Sequence, residues 1–304
     1  MAYFFKMKKS IEKELFGIKK NISLSRYTTF KVGGKAKYFF ISKSKESLIK
    51  VLKLAKKYSL PFFVLGGGSN ILASDKKYEG LVIKAESNKC FIKKTLIYCE
   101  SGLLLSQAVK KAAEAGLSGL EWAAGIPGTI GGAIQGNVGS FGSSMEKIVR
   151  EVETFDNGKI RTFKNKESNF SYRSSIFKKN QNLIILSVQL KLKKGNKKDI
   201  TNRIKEILIS RKEKYPLNFP CAGSVFKNHG KVPAGKLIEE CGLKGKRIKG
   251  AVISEKHANF ILNDKKAKAK DIIKLMELIK EKVKRKFGIK LKEEIYLFNF
   301  KKIK

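Results

Sequence analysis

Polar and apolar positions alternate along residues 21–40, NISLSRYTTFKVGGKAKYFF, and the β-branched and aromatic residues there predict strands broken at Gly33 and Gly34. Residues 10–20 before them fit a short amphipathic helix or an extended lead-in. Leu48, Leu52 and Ala55 fall on one stripe among lysines, so 45–58 is predicted as an amphipathic helix, stopped by Pro61. Short apolar runs at 62–65 and 80–85 complete a β-α-β unit, and strands follow at about 89–99. Helical spacing returns at 103–115, closed by Gly116. The Asp156-Asn157-Gly158 turn marks a hairpin over 148–163, followed by a strand at 183–192. Further helices are predicted at 199–214 (ended by Tyr215-Pro216), from Pro233 to Glu240, and at 265–287, with Ile272, Ile273, Leu275, Met276, Ile279 and Val283 inward. A strand at 291–300 closes a series that reads as a multi-domain α+β protein. The 199–214 helix marks the preferred domain boundary, because loop-like sequence follows it.

Two glycine-dense stretches interrupt this pattern. Residues 125–142, GIPGTIGGAIQGNVGSFG, hold seven glycines and no charged side chain, and Ile126, Ile130, Ile134 and Val138 read as buried. A flexible linker would instead be rich in Ser and charge. Glycine admits φ > 0 and close approach, so such a backbone can turn several N–H groups onto one anion, as a diphosphate requires. A second turn of this kind, Gly66-Gly67-Gly68-Ser69-Asn70, follows the strand at 62–65. The 125–142 stretch does not sit in the strand–GxGxxG–helix setting of a Rossmann fingerprint.

Composition narrows the classes. The formal charge is +40, yet only eight of 66 basic residues are Arg, and the lysines are scattered through every segment. Lys is a hydrated point charge, whereas base and phosphate reading favours the Arg fork. The charge therefore reads as a solvated background that attracts an anionic substrate, and the nucleic-acid-binding alternative lacks its clustered Arg. Cys90, Cys99, Cys221 and Cys241 form no CxxC pair and no metal spacing with His229 and His257, so no metal is expected. Cys90 and Cys99 could face each other across a hairpin. The N-terminal stretch lacks the apolar core of a signal peptide, and no run reaches the roughly 18 apolar residues of a membrane span. A cytoplasmic protein with reduced thiols and no membrane partner is expected, most simply a monomer.

The motifs TTFKVGG (28–34), LGGGSN (65–70), the 125–142 stretch, FSYRSS (170–175), AGSVFKN (222–228), PAGKLIEECGLKG (233–245) and SEKHANFILN (254–263) stand in one order along nearly the whole chain. With the closing strand that carries Glu293-Glu294, they resemble the bacterial UDP-N-acetylenolpyruvoylglucosamine reductase family, and the short spacing between Arg173 and Leu183 places the chain in the family's shorter subclass. The resemblance implies a two-subdomain FAD-binding fold of the vanillyl-alcohol-oxidase (PCMH) type over 1–210, with subdomains of about 1–86 and 87–210, and a substrate-binding α+β domain over 211–304. It also implies non-covalent FAD held by Gly66, Gly67, Gly68, Ser69, Asn70, Gly125, Pro127, Gly128, Thr129, Asn137 and Gly139. Both histidines follow residue 220, so histidyl attachment of flavin in the N-terminal half, as in other flavin oxidoreductases of this fold, is excluded.

By the same resemblance, NADPH reduces the flavin, and flavin N5 passes a hydride to the enolpyruvyl group of UDP-N-acetylglucosamine enolpyruvate, giving UDP-N-acetylmuramate for peptidoglycan. Arg173 and Glu294 would stabilise the charge that develops on the substrate carboxylate, and Ser224 would donate the proton. Tyr172, Lys214, Lys227 and Asn228 would contact substrate. Strand alternation sends Glu293 and Glu294 to opposite faces without saying which points inward; the match selects Glu294 and leaves Glu293 as the alternative. His229 stands where the family has Pro, and a structural role is expected for His257.

Overall fold

Leu48, Val51, Leu52 and Ala55 are all buried on the Lys45–Lys57 helix, so the stripe read from the sequence faces a core. Ser44 starts this helix by accepting the Ser47 amide at 3.1 Å, which satisfies one of its orphan donors. The computed structural model containing it describes residues 11–300. The chain forms two units, which it enters and leaves at 21/22, 36/37, 67/68, 78/79 and 209/210. The first takes the chain up to Asn21 together with Lys37–Gly67 and Glu79–Ile209; the second takes Ile22–Ala36, Gly68–Tyr78 and the chain from Ser210.

The first unit holds two apolar clusters. One packs the Lys45–Lys57 helix against Leu81 and Ile83 of the Tyr78–Ala85 strand. That strand lies parallel to Phe62–Leu65, in a sheet of order Lys19–Ser23, Lys35–Ser42, Tyr78–Ala85, Phe62–Leu65. The other packs the Leu105–Glu114 helix and Ile130 and Ile134 against a five-stranded antiparallel sheet. Its strand order is Lys159–Lys164, Val149–Asp156, Leu183–Lys191, Leu96–Glu100, Cys90–Lys93. The hairpin turn falls at Asn157 and Gly158, both at positive φ, as the sequence predicts.

The second unit is built on the Ala269–Phe287 helix, which buries Ile272, Leu275, Met276, Ile279 and Val283. Packed in the same core are Phe30, Val32 and Leu72, together with Ala222, Phe226, Leu237 and Ile253. Phe30 and Val32 lie in residues 22–36 and Leu72 in 68–78, which the sequence pattern groups with the N-terminal region; their burial in this core is what draws those segments into the second unit. Tyr296–Phe298 runs parallel to Ile71–Ala73, and Arg247–Ile248, Ala251–Ile253 and Ile261–Asn263 form a small antiparallel sheet that the sequence pattern did not reveal.

Candidate active site

Gly66 and Gly67 lie against the 125–142 stretch, inside the first unit. A Cβ on Gly67 would stand 2.6 Å from the Cα of Gly128, and one on Gly66 would stand 2.5 Å from Thr129 Oγ1. The glycines therefore allow backbone to pack on backbone, and any side chain would force the two turns apart. Thr129 also caps a short helix, Ile130–Gln135, by accepting the Gly132 amide. The glycine-rich pattern does not announce this helix, because Gly131 and Gly132 carry poor helix propensity. Gly131 is needed for contact as well: its Cβ would come 2.9 Å from Ser101 Cβ, and its amide donates to Ser101 O at 2.8 Å.

The residues around this junction suit a polar, phosphate-bearing cofactor. The Ser101 hydroxyl is buried without a partner among the described residues. The amides of Gly67, Gly128 and Thr129 likewise make no hydrogen bond to another described residue. A buried hydroxyl such as that of Ser101 is costly unless something bound satisfies it; Gly67 and Gly128 are half-buried and Thr129 is buried. Nothing in the local sequence singles out Ser101, a residue in a strand-to-helix turn. At the remaining turn glycines a Cβ would clash as well: on Gly68, at φ +66, with Tyr27 O, and on Gly139 with Ser143 O. Gly125 and Pro127 are exposed. Ser69 is half-buried, and Asn70 donates its side-chain amide to Glu294 O at 3.2 Å.

Asn137 ties the glycine stretch to the loop of Arg173. Its buried side chain donates to Ser171 O at 3.0 Å and accepts the Glu146 amide at 3.1 Å, while Ser175 Oγ donates to Gln135 O at 2.8 Å. Ser171 and Ser174 exchange both backbone hydrogen bonds across a tight turn. Arg173 sits in that turn at φ 55, a left-handed conformation that costs a side chain on the order of 1 kcal/mol and that clusters at functional positions. Its guanidinium lies 5.3 Å from the centre of the exposed Tyr172 ring, and its carbonyl accepts from Lys178 Nζ. The sequence motif alone did not show this strain.

In the second unit, Ser224 and Glu294 lie on paired backbone. Glu294 N donates to Val225 O at 2.8 Å, Lys227 N to Lys292 O at 2.9 Å, and Phe226 bridges Glu293. Asn259 fastens this pair by accepting the Phe226 amide and donating to Phe226 O, an anchor the sequence did not announce. Glu293 forms an ion pair with Lys280 of the long helix, so the alternative carboxylate is committed to the scaffold. Ser224 and Lys227 are half-buried, and Asn228 Oδ1 accepts the Ala234 amide at the start of the Ala234–Glu240 helix. Lys214 is exposed at the end of the Lys197–Lys214 helix. Nearby, a groove of about 500 Å³ is lined by Lys212, Tyr215, Phe219, Arg247, Ser254 and Asp264, with neither Ser224 nor Glu294 in its wall. His229 and Val232 close a tight turn through mutual backbone bonds. His257 accepts the Asn259 amide on Nδ1 and packs against Tyr215 and Phe260; burial holds its pKa below the usual histidine value. No metal-binding cluster occurs among the described residues. None of their helices is long and apolar enough to cross a membrane.

Comparison with known proteins covers both units. Residues 36–164 match the model of an FAD binding domain, and 215–298 match that of the UDP-N-acetylenolpyruvoylglucosamine reductase C-terminal domain. The chain is 42% identical to the UDP-N-acetylenolpyruvoylglucosamine reductase of Caldanaerobacter subterraneus subsp. tengcongensis over 277 residues, covering 90% of this chain and 91% of that one. It is 44% identical to the reductase of Caldicellulosiruptor bescii, covering 91% and 89%. The crystal structure of UDP-N-acetylenolpyruvylglucosamine reductase from Thermus caldophilus superposes with a TM-score of 0.80 at 34% identity, covering 91% of this chain and 97% of that one.

Proposed function

The chain belongs to the UDP-N-acetylenolpyruvoylglucosamine reductase family, an FAD-dependent oxidoreductase family, and from that premise we propose how its residues divide the work. The reaction is reduction of the enolpyruvyl ether of UDP-N-acetylglucosamine enolpyruvate to UDP-N-acetylmuramate, with NADPH as the source of electrons, in the cytoplasm. The first unit holds FAD and the second engages the UDP-sugar. The observation that carries the cofactor assignment is the meeting of Gly66-Gly67 with Gly128-Thr129, whose amides and the Ser101 hydroxyl await polar partners. Gly68, Ser69, Asn70, Gly125, Pro127, Asn137 and Gly139 shape or hold these turns. Bound FAD would supply a hydride to the terminal carbon of the substrate double bond.

Negative charge then builds on the adjacent carbon and spreads into its carboxylate. Arg173 offers that carboxylate a fixed cation, and Glu294, in its protonated form, offers a hydrogen-bond donor. The Ser224 hydroxyl gives its proton to the carbon and is re-protonated from solvent, so one hydride and one proton are added across the double bond. The family match takes Glu294 over Glu293, and Lys280 holds Glu293. Tyr172, Lys214, Lys227 and Asn228 contribute substrate contacts.

NADPH oxidation measured with and without UDP-N-acetylglucosamine enolpyruvate tests the reading, on protein that should purify yellow and release its flavin on mild denaturation. Ser224→Ala should still bleach on adding NADPH, while reoxidation by the substrate is largely lost. Normal turnover in that variant removes Ser224 from the mechanism. A colourless protein that takes up no FAD, yet retains DNA, would favour the nucleic-acid alternative instead.

A further inference from the structure

The Cys90–Lys93 strand is the edge of the five-stranded sheet in the first unit, and Cys90 stands directly opposite Cys99 on Leu96–Glu100. The neighbouring pair, Lys89 and Glu100, is joined by the Glu100 amide donating to Lys89 O at 2.9 Å. Hydrogen-bonded and non-hydrogen-bonded pairs alternate along an antiparallel ladder, so Cys90 and Cys99 occupy a non-hydrogen-bonded pair. In such pairs the side chains approach most closely, with Cα atoms about 4.5 Å apart, inside the range that a disulfide spans. Their sulfurs are 3.7 Å apart, and both are free thiols.

We propose that Cys90 and Cys99 form an oxidisable dithiol, closed to a cross-strand disulfide by a hydroperoxide and reopened by an external thiol. Cys90 attacks first. It is half-buried on an edge strand, whereas Cys99 is fully buried beneath it. The contact with the Cys99 thiol lowers the pKa of Cys90 against the opposing effect of burial, with Lys111 adding positive charge. The same pairing, together with burial, pushes the Cys99 thiol far above its ordinary value, which makes Cys99 the resolving partner. The Cys90 thiolate takes the distal oxygen of the hydroperoxide as the O–O bond breaks. The proton that Cys90 lost on ionising returns to the products, giving a sulfenic acid and an alcohol, or water when the oxidant is hydrogen peroxide. The Cys99 sulfur then displaces hydroxide from that sulfenic acid; its proton leaves with the hydroxide as water, and the S–S bond forms. Two thiols are oxidised and one peroxide bond is reduced. Cys221 and Cys241 have no thiol opposite them and are raised by burial, so they serve as internal controls.

The test exposes the flavin-loaded protein to hydrogen peroxide, alkylates it after denaturation and maps the peptides. Expected is a bridge between residues 90 and 99 with the loss of two hydrogens, removed by dithiothreitol, while Cys221 and Cys241 remain alkylated. Because Cys99 is buried, its Ser variant is paired with Cys90→Ala at the more exposed position. Cys99→Ser should accumulate a sulfenic acid at Cys90, trapped by dimedone, and Cys90→Ala should leave Cys99 an unmodified thiol. Recovery of both thiols from the native protein under conditions that oxidise Cys221 or Cys241 overturns the proposal. So does direct passage of Cys90 to a sulfinic acid without a bridged species.

Discussion

Glu293 and Glu294 are adjacent, yet only Glu293 is bound to Lys280, and this difference makes their variants diagnostic. Glu294→Gln should lower enolpyruvyl reduction by about 100-fold, the usual scale for losing one group aimed at developing charge, with flavin reduction by NADPH unchanged. Glu293→Gln should stay within a few-fold in rate and show a lower melting temperature instead. Arg173 offers a sharper trade: Arg173→Gly releases the strain at φ 55 and removes the guanidinium. The variant should melt no lower than the parent while losing turnover, and retained turnover would separate Arg173 from catalysis. His257 titrates with a sign fixed by burial. Its folded pKa lies below the unfolded value of about 6.5, so its contribution is complete above that pH and declines as pH falls through the depressed pKa. The melting temperature of the parent should therefore drop more steeply below about pH 6.5 than that of His257→Gln. The order of motifs made Ser224, Arg173 and Glu294 legible as candidates. The anchoring by Asn259 was not, because its partner Phe226 lies 33 positions away; nor were the strain at Arg173 and the open hydroxyl of Ser101, which are matters of backbone conformation and burial that residue order does not carry.

Elements that fold by local rules follow the sequence closely. The Lys45–Lys57 and Leu105–Glu114 helices and the 149–164 hairpin lie within two residues of the expected bounds, since their stripes, caps and turn residues are all local. The last helix departs from its pattern. It begins at Ala269 instead of 265, because the Asp75 carboxylate, 194 positions away, accepts the Ala269 amide and also that of Lys270. Asp75→Ala should cost about 1 kcal/mol, read as a lower urea midpoint, with most of the loss recovered in Asp75→Asn. The closing strand is likewise shorter than its apolar run, holding its ladder only over Tyr296–Phe298. Between the glycine stretch and the Arg173 turn, Asn137 is the joint. Asn137→Ala should release two backbone partners, cost about 1–3 kcal/mol and loosen FAD retention. Gly67→Ala should go further and yield protein poor in flavin, since its Cβ would meet Gly128 backbone at 2.6 Å.

At the scale of the whole molecule, the net charge of +40 acts on encounter with an anionic substrate. Raising sodium chloride shortens the screening length to about 3 Å at 1 M, so KM for the UDP-sugar should rise with salt while kcat holds, and sucrose at matched viscosity should leave KM unchanged. Composition gave that charge, but it could not show how the chain is shared between two cores, because burial of Phe30, Val32 and Leu72 with the C-terminal third is a long-range event. That sharing has a consequence for synthesis on the ribosome. Phe30 and Leu72 leave the exit tunnel long before Leu275 and Ile279 exist to cover them. Greasy segments must wait in the nascent polypeptide until translation is nearly finished, so a stalled or truncated message should deliver a chaperone client in place of a half-built enzyme.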